Sequence, residues 1–139
     1  RMLEFETWLG DQFISQHRAD GLIVSSPTGS TAYALSGGGP VLQPGLEAFA
    51  IVPICPHTLS DRPIVVGCER TVRIVLGKDA GTKAVFTCDG QLNEPVRPGD
   101  VVEVSRSRHV LHLIHPSSYD YFHILRNKLR WGRGPTKPG

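Results

Sequence analysis

The sequence predicts a mainly β domain, a β-sandwich-like or distorted-barrel arrangement with one short helix after an early loop and a second helix at the C-terminal end. Short runs that alternate or stay apolar recur at strand length, from Leu3–Leu9 to His109–Ile114. Turn residues separate them, among them Gly10-Asp11, Asp89-Gly90 and Pro98-Gly99-Asp100. Fifteen glycines and eleven prolines are spread between the apolar runs, which argues for many turns within a folded chain.

In order, Leu3, Phe5 and Leu9 alternate with Glu4, Glu6 and Trp8, the period-two pattern of a half-buried strand. Gly10-Asp11 then turns the chain into Gln12–Arg18, giving a hairpin. Leu22–Ser25 reads as a short buried strand, and Thr31–Ser36 as a short helix stopped by Gly37-Gly38-Gly39-Pro40, since glycine tolerates a left-handed cap and proline cannot continue a helix. A brief helical segment is expected around Leu46–Phe49, leading to Ala50–Ile54 and a rigid connector, Pro53–Pro63. The rest reads as strand: Ile64–Val66, Thr71–Leu76, Lys83–Cys88, Val101–Ser105 and His109–Ile114. Tyr121, Phe122, Leu125 and Leu129 then fall near helical spacing, so a terminal helix carries one apolar stripe for the sheet.

At 139 residues the chain is expected to form one domain over residues 1–132, with 133–139 a disordered tail. A net charge of +2 gives no general attraction for nucleic acid, and the basic run Arg126, Lys128, Arg130, Arg133 and Lys137 reads as a solvated helix face and tail. Cys55, Cys68 and Cys88 are odd in number and far apart, the usage of reduced, partly buried thiols in a cytoplasmic protein. No apolar run reaches membrane-span length and no signal peptide opens the chain, so no membrane partner is expected. The opening Arg1-Met2-Leu3 enters a strand pattern directly, as in a piece of a longer protein.

The stretch "SSPTGSTAYALSGGGP", Ser25–Pro40, has two readings. One is an ordinary turn in which Ser30 or Thr31 caps a helix. The other is a cradle for phosphate or ribose oxygens, with backbone N–H groups at a helix start, Gly29 permitting close approach and Tyr33 offering a flat ring to a base. The stretch has neither the lysine of a Walker loop nor a G-x-G-x-x-G fingerprint.

Residues Asp20–Pro40, "PICPHTLSDRPIVV" at Pro53–Val66, "CDGQ" at Cys88–Gln91 and "YFHILRNKLRWG" near the end resemble, in that order, the C-terminal domain of bacterial NAD kinases. The resemblance implies a phosphotransferase that acts on the adenosine-ribose 2′-hydroxyl of NAD, using ATP or polyphosphate with a divalent metal, Mg²⁺ being the expected ion. It implies NAD and NADP as ligands, self-association as a dimer or tetramer and a cytoplasmic location. Carried over residue by residue, it puts nucleotide contacts on Asp20, Thr28, Thr31, Ala32, Tyr33 and Ser36, with Asp20 bonding a polar amide or amine edge, Tyr33 stacking and the hydroxyls holding ribose or phosphate oxygens. Ser26 departs from the usual threonine but keeps the hydroxyl.

The family's G-G-D-G motif and Asn-Glu pair belong to an N-terminal α/β domain that these residues do not include. Without that carboxylate and phosphate clamp, the chain alone is expected to be a poor kinase with no catalytic residue of its own and no metal held by itself. Asp89 is both the first residue of an Asp-Gly turn and a candidate nucleotide contact through the resemblance. His57 is expected to bond backbone through its ring rather than to act as acid or base, and Asp61-Arg62 to form a local ion pair or cap. Arg18 is either a phosphate contact or a solvated strand charge. His109, His112 and His115 cannot converge on a metal if their segment is a strand, because alternate residues face opposite sides. Two alternatives stand beside this reading: a non-catalytic NAD/NADP-sensing module, which the same residues do not separate from the enzyme, and a relative of lipid kinases, against which "PTGSTAY" argues.

Overall fold

A computed structural model describes residues 2–78 and 83–130, the side chain of Tyr33 excepted. The expected tail, 133–139, lies outside the described residues. The chain forms two compact units, Arg1–Ser107 and Arg108–Gly139.

In the first unit, β1 (Leu3–Leu9) and β2 (Gln12–Ala19) form the predicted hairpin, and β6 (Val72–Leu76) and β9 (Val101–Val104) extend it into an antiparallel sheet of order β2-β1-β6-β9. A second antiparallel sheet has β4 (Ala48–Ile54) between β3 (Gly21–Ser25) and β5 (Ile64–Gly67). A ribbon of β7 (Ala84–Cys88) and β8 (Leu92–Val96) completes the set. Period-two burial along β1, with Phe5, Thr7 and Leu9 buried, follows the alternation in the sequence. The mainly β, sandwich-like prediction agrees with this, since Leu9 and Val72 of one sheet share a core with Phe49 and Ile51 of the other.

β4 is apolar without alternation because both its faces are covered. Phe49 and Ile51 look into the core between the sheets, while Ala50 and Val52 meet Ala34, Leu42 and Ile23 on the opposite side. Pro53 is tolerated in this strand because the β5 ladder ends at the Ile51–Ile64 pair, leaving only β3 alongside.

Several expectations need correction. No helix forms around Leu46–Phe49: a turn at Gln43–Leu46, with Gly45 at φ +93°, leads straight into β4, because Phe49 is worth more as a buried strand residue. Leu92–Val96, unassigned in the sequence because polar residues and Pro95 break its pattern, is a strand held by register with β7. His109–Ile114 is not a strand: the apolar residues Val110, Leu111, Leu113 and Ile114 are exposed and no ladder includes them.

In the second unit, α2 (Tyr121–Leu129) starts at Asp120, whose Oδ1 accepts from the N–H groups of Phe122 (3.0 Å) and His123 (3.2 Å). It ends at Arg130 in the left-handed conformation, with Arg126 and Lys128 in the last turn, where cations suit the helix dipole. Leu125 is its buried residue.

On the surface of the first unit, Glu47 and Arg106 pair at 2.9 Å, and the carboxylate holds the guanidinium above its already high ordinary range. Both groups are more than half exposed, so Glu47→Ala is expected to leave the thermal midpoint unchanged, as scanning calorimetry would show.

Candidate functional site

β3 delivers the chain into the serine-rich bend at its C-terminal end. Pro27, with φ −54° and ψ −43°, starts a 3₁₀ turn over Thr28–Thr31; Ala32 breaks it at φ −101°, ψ −125°, and α1 follows as one turn, Tyr33–Ser36. The predicted helix over Thr31–Ser36 is thus shortened to Tyr33–Ser36, with a separate 3₁₀ turn before it.

Four of the bend's amide groups are taken up within it. Gly29 N–H donates to Ser26 Oγ (3.3 Å), Ser30 N–H to Pro27 O (3.2 Å), Ala32 N–H to Gly29 O (3.0 Å) and Leu35 N–H to Ala32 O (3.1 Å). These four amides close the bend's own turns. Ser30 is not a helix cap either. It is fully buried, donates through Oγ to Pro27 O (2.6 Å) and accepts from Leu42 N–H (3.0 Å), tying the bend to the chain twelve residues on.

The glycine stop works as predicted. Gly38 takes φ +82°, its N–H donates to Leu35 O (3.0 Å), and Gly39 N–H donates to Ala34 O (2.8 Å), a left-handed cap that satisfies two carbonyls of α1.

A cavity of about 660 Å³ opens where the bend leaves β3. Ser25, Ser26, Gly29, Ala32 and Ser36 line it from the bend; Thr87, Asp89 and Gly90 line it from the β7–β8 hairpin. Its apolar wall includes Ile74, Val102 and Val104 of the first sheet and Phe86 of the ribbon. The volume falls within the roughly 300–1,000 Å³ of small-molecule sites, and an apolar wall with a polar rim suits a flat ring bearing a polar tail.

Of the nucleotide contacts expected from the sequence, Ala32, Ser36 and Asp89 meet at this cavity. Asp20 and Thr28 are exposed and not among its lining residues; Thr31 is half-buried and also off the lining. Asp20 is the one residue between β2 and β3, its N–H donating to Ile54 O (2.9 Å). Tyr33 opens α1, and its side chain lies outside the description. Asp89 serves the turn as well: Asp89 and Gly90 have φ +51° and +69°, and Gln91 N–H donates to Cys88 O (3.0 Å), as a type I′ hairpin turn requires.

Other candidates resolve differently. Arg18 pairs across the β1–β2 ladder with Glu4 (3.2 Å). It is the backbone N–H of His57, not its ring, that makes the connector's bond, to Arg18 O (2.8 Å), while the residue is exposed. Asp61 pairs not with Arg62 but with His17, 44 residues away, at 2.8 Å. Cys55, Cys68 and Cys88 are free thiols, but only Cys68 is buried. His115 stacks on Tyr119, with centroids 3.8 Å apart, and among the described residues no three His, Cys, Asp or Glu side chains gather to hold a metal ion.

Sequence reasoning missed His17 and the apolar wall. Alternation placed His17 on the inward face opposite Phe5, which was a readable signal; its partner on a distant connector was not. Ile74, Val102 and Val104 read as ordinary core residues because the gap in front of them depends on how the sheets and ribbon sit.

Comparison with known proteins bears on what such a cavity holds. The family model described as the ATP-NAD kinase C-terminal domain matches residues 1–116. The chain is 54% identical over 131 residues to an NAD kinase of Shewanella loihica, covering 94% of this chain and 45% of that protein. It is 53% identical over 131 residues to an NAD kinase of Shewanella baltica, covering 94% and 42%. The chain thus spans less than half the length of these curated relatives. Among solved structures, a yeast NADH kinase complexed with NADH superposes with a TM-score of 0.84 at 24% identity, over 99% of this chain and 42% of that one, a likeness of fold. An NAD kinase from Archaeoglobus fulgidus in complex with ATP gives 0.69 at 32% identity, over 78% and 41%.

Proposed function

This chain belongs to the ATP-NAD kinase C-terminal domain family, and from that membership we propose that it is the nucleotide-binding half of an enzyme that phosphorylates the adenosine-ribose 2′-hydroxyl of NAD to give NADP. The observation that carries the proposal is the convergence of Ser25, Ser26, Ala32 and Ser36 from the bend with Thr87 and Asp89 from the hairpin on one cavity with an apolar wall. A dinucleotide presents flat rings for the wall and ribose hydroxyls for the rim. Asp20, Thr28, Thr31 and Tyr33 belong to the same proposed site as its outer contacts, Tyr33 as the stacking ring.

In this reading the chain binds and orients NAD while the chemistry draws on a second half. The 139 residues contain no G-G-D-G run, and no carboxylate is proposed here as acceptor of the 2′-hydroxyl proton. ATP or polyphosphate and a divalent metal would supply the phosphoryl group and its charge neutralisation. The described residues offer no cluster that fits a metal, so no step is assigned to it in this chain. The isolated chain is accordingly proposed to be inactive, with activity returning when the missing half is supplied in trans; binding of NAD without that recovery would favour a sensing module instead.

Self-association is part of the proposal, because the edge strand β5 exposes Ile64 and Val65. So is a cytoplasmic location, in keeping with three free thiols; no helix of the described residues is long and apolar enough to cross a membrane.

The test is calorimetric titration with NAD and NADP of the wild-type chain and of Ala32→Trp, which puts an indole where a methyl group lines the cavity. Binding by the wild type and a loss of about tenfold or more in the variant, roughly 1.4 kcal/mol, are expected. Equal binding by the two would reject the cavity as the nucleotide site.

A further inference from the structure

His17 is among the most enclosed polar side chains of the first unit, yet it lines no part of the cavity. Its ring is fixed on three sides. It stacks on Phe5 with centroids 5.1 Å apart and planes 23° from parallel; Nε2 lies 2.9 Å from Thr7 Oγ1, and Nδ1 lies 2.8 Å from both carboxylate oxygens of Asp61. Phe5 and Thr7 belong to the central β1 strand of the first sheet, so Asp61, on the proline-rich connector between β4 and β5, is referenced to a rigid face rather than to its own loop.

The connector in turn holds the segment that leaves β2. His57 N–H donates to Arg18 O (2.8 Å), and Ile54 O accepts from Asp20 N–H (2.9 Å). With the His17–Asp61 pair, three ties join residues 17–20 to residues 54–61. Asp20 needs them, because it is the single residue between the end of a strand in one sheet and the start of a strand in the other. Its place is set by how those two ends are held together.

We propose that His17 and Asp61 are positioning residues for Asp20: their bond seats the connector, the connector seats the β2–β3 junction, and Asp20 is thereby presented to the nucleotide without either residue touching it. The last step rests on the nucleotide reading; the seating of the junction does not.

The test uses the whole 139-residue chain as wild type, Asp61→Ala and Asp61→Asn. Asparagine keeps an oxygen that accepts from Nδ1–H, so it serves as the conservative rescue, and Asp61→Ser, too short to reach, replaces the alanine variant if that fails to fold. Amide exchange followed by NMR is expected to quicken about tenfold at Asp20 and His57 in Asp61→Ala, the scale of losing one charge-assisted hydrogen bond, and to stay near wild type in Asp61→Asn and at the β1–β6 pairs of every variant. The NAD dissociation constant is expected to rise about tenfold in Asp61→Ala and to recover in Asp61→Asn. Unchanged exchange at Asp20 and His57 overturns the seating, and faster exchange with unchanged NAD affinity overturns the positioning role. A wild-type chain that binds no NAD rejects the nucleotide reading and the positioning role with it, while the exchange rates still decide the seating.

Discussion

Ser30→Ala is expected to lower the unfolding free energy by about 2–3 kcal/mol, seen as a lower urea midpoint at unchanged slope. The serine has no exposed surface, and its hydroxyl both donates to Pro27 O and accepts from Leu42 N–H. Alanine leaves Pro27 O with the weaker bond from Ser30 N–H, at 3.2 Å, and leaves the buried Leu42 N–H with nothing in place of Oγ. A buried donor stripped of its acceptor costs about 1–3 kcal/mol, and the lost short bond adds to it. Because Gly29 and Ala32, on either side of Ser30, line the cavity, the same variant should also weaken the proposed binding of NAD. A midpoint equal to wild type would show that the hydroxyl is no strut.

That outcome bears on how far residues alone can be read. The density of serine and threonine in the bend marked it correctly as unusual, but the hydroxyls divide between two tasks that composition cannot separate. Ser30 is turned inward because Leu42, twelve residues on, brings an amide to it; Ser36 lines the cavity because α1 is a single turn halted by glycine. Local rules sufficed for that halt, for the Gly10-Asp11 hairpin and for the inward parity of Phe5, Thr7 and Leu9. They failed where a partner lay far along the chain. β8 is a strand only by virtue of β7, and His109–Ile114, with its apolar residues, lacks the ladder that would have made it one. The cavity's wall failed for the same reason: Ile74 and Val102 pair across β6 and β9, and nothing nearby in sequence announces the gap they face.

Gly39→Ala should cost about 2–4 kcal/mol, and its neighbour supplies the control. A Cβ on Gly39 would lie 2.8 Å from Ala34 O and 2.8 Å from Val52 Cγ2. Neither contact can yield cheaply. Ala34 O is the acceptor of the Gly39 N–H bond that closes α1, and Val52 is a fully buried residue of the central strand β4. Overpacking of this kind costs roughly 1–3 kcal/mol, and parting Gly39 from Ala34 forfeits about 1 kcal/mol more. Gly38 differs in kind: a Cβ there meets nothing within 4 Å, but φ is +82°, so Gly38→Ala should cost only the roughly 1–2 kcal/mol of a left-handed alanine. Urea unfolding of the two variants separates the causes. Equal losses would mean that the backbone conformation of the stop decides everything. The expected gap means instead that α1, and with it the Ala32 and Ser36 side of the cavity, is set by how closely Gly39 lies against β4.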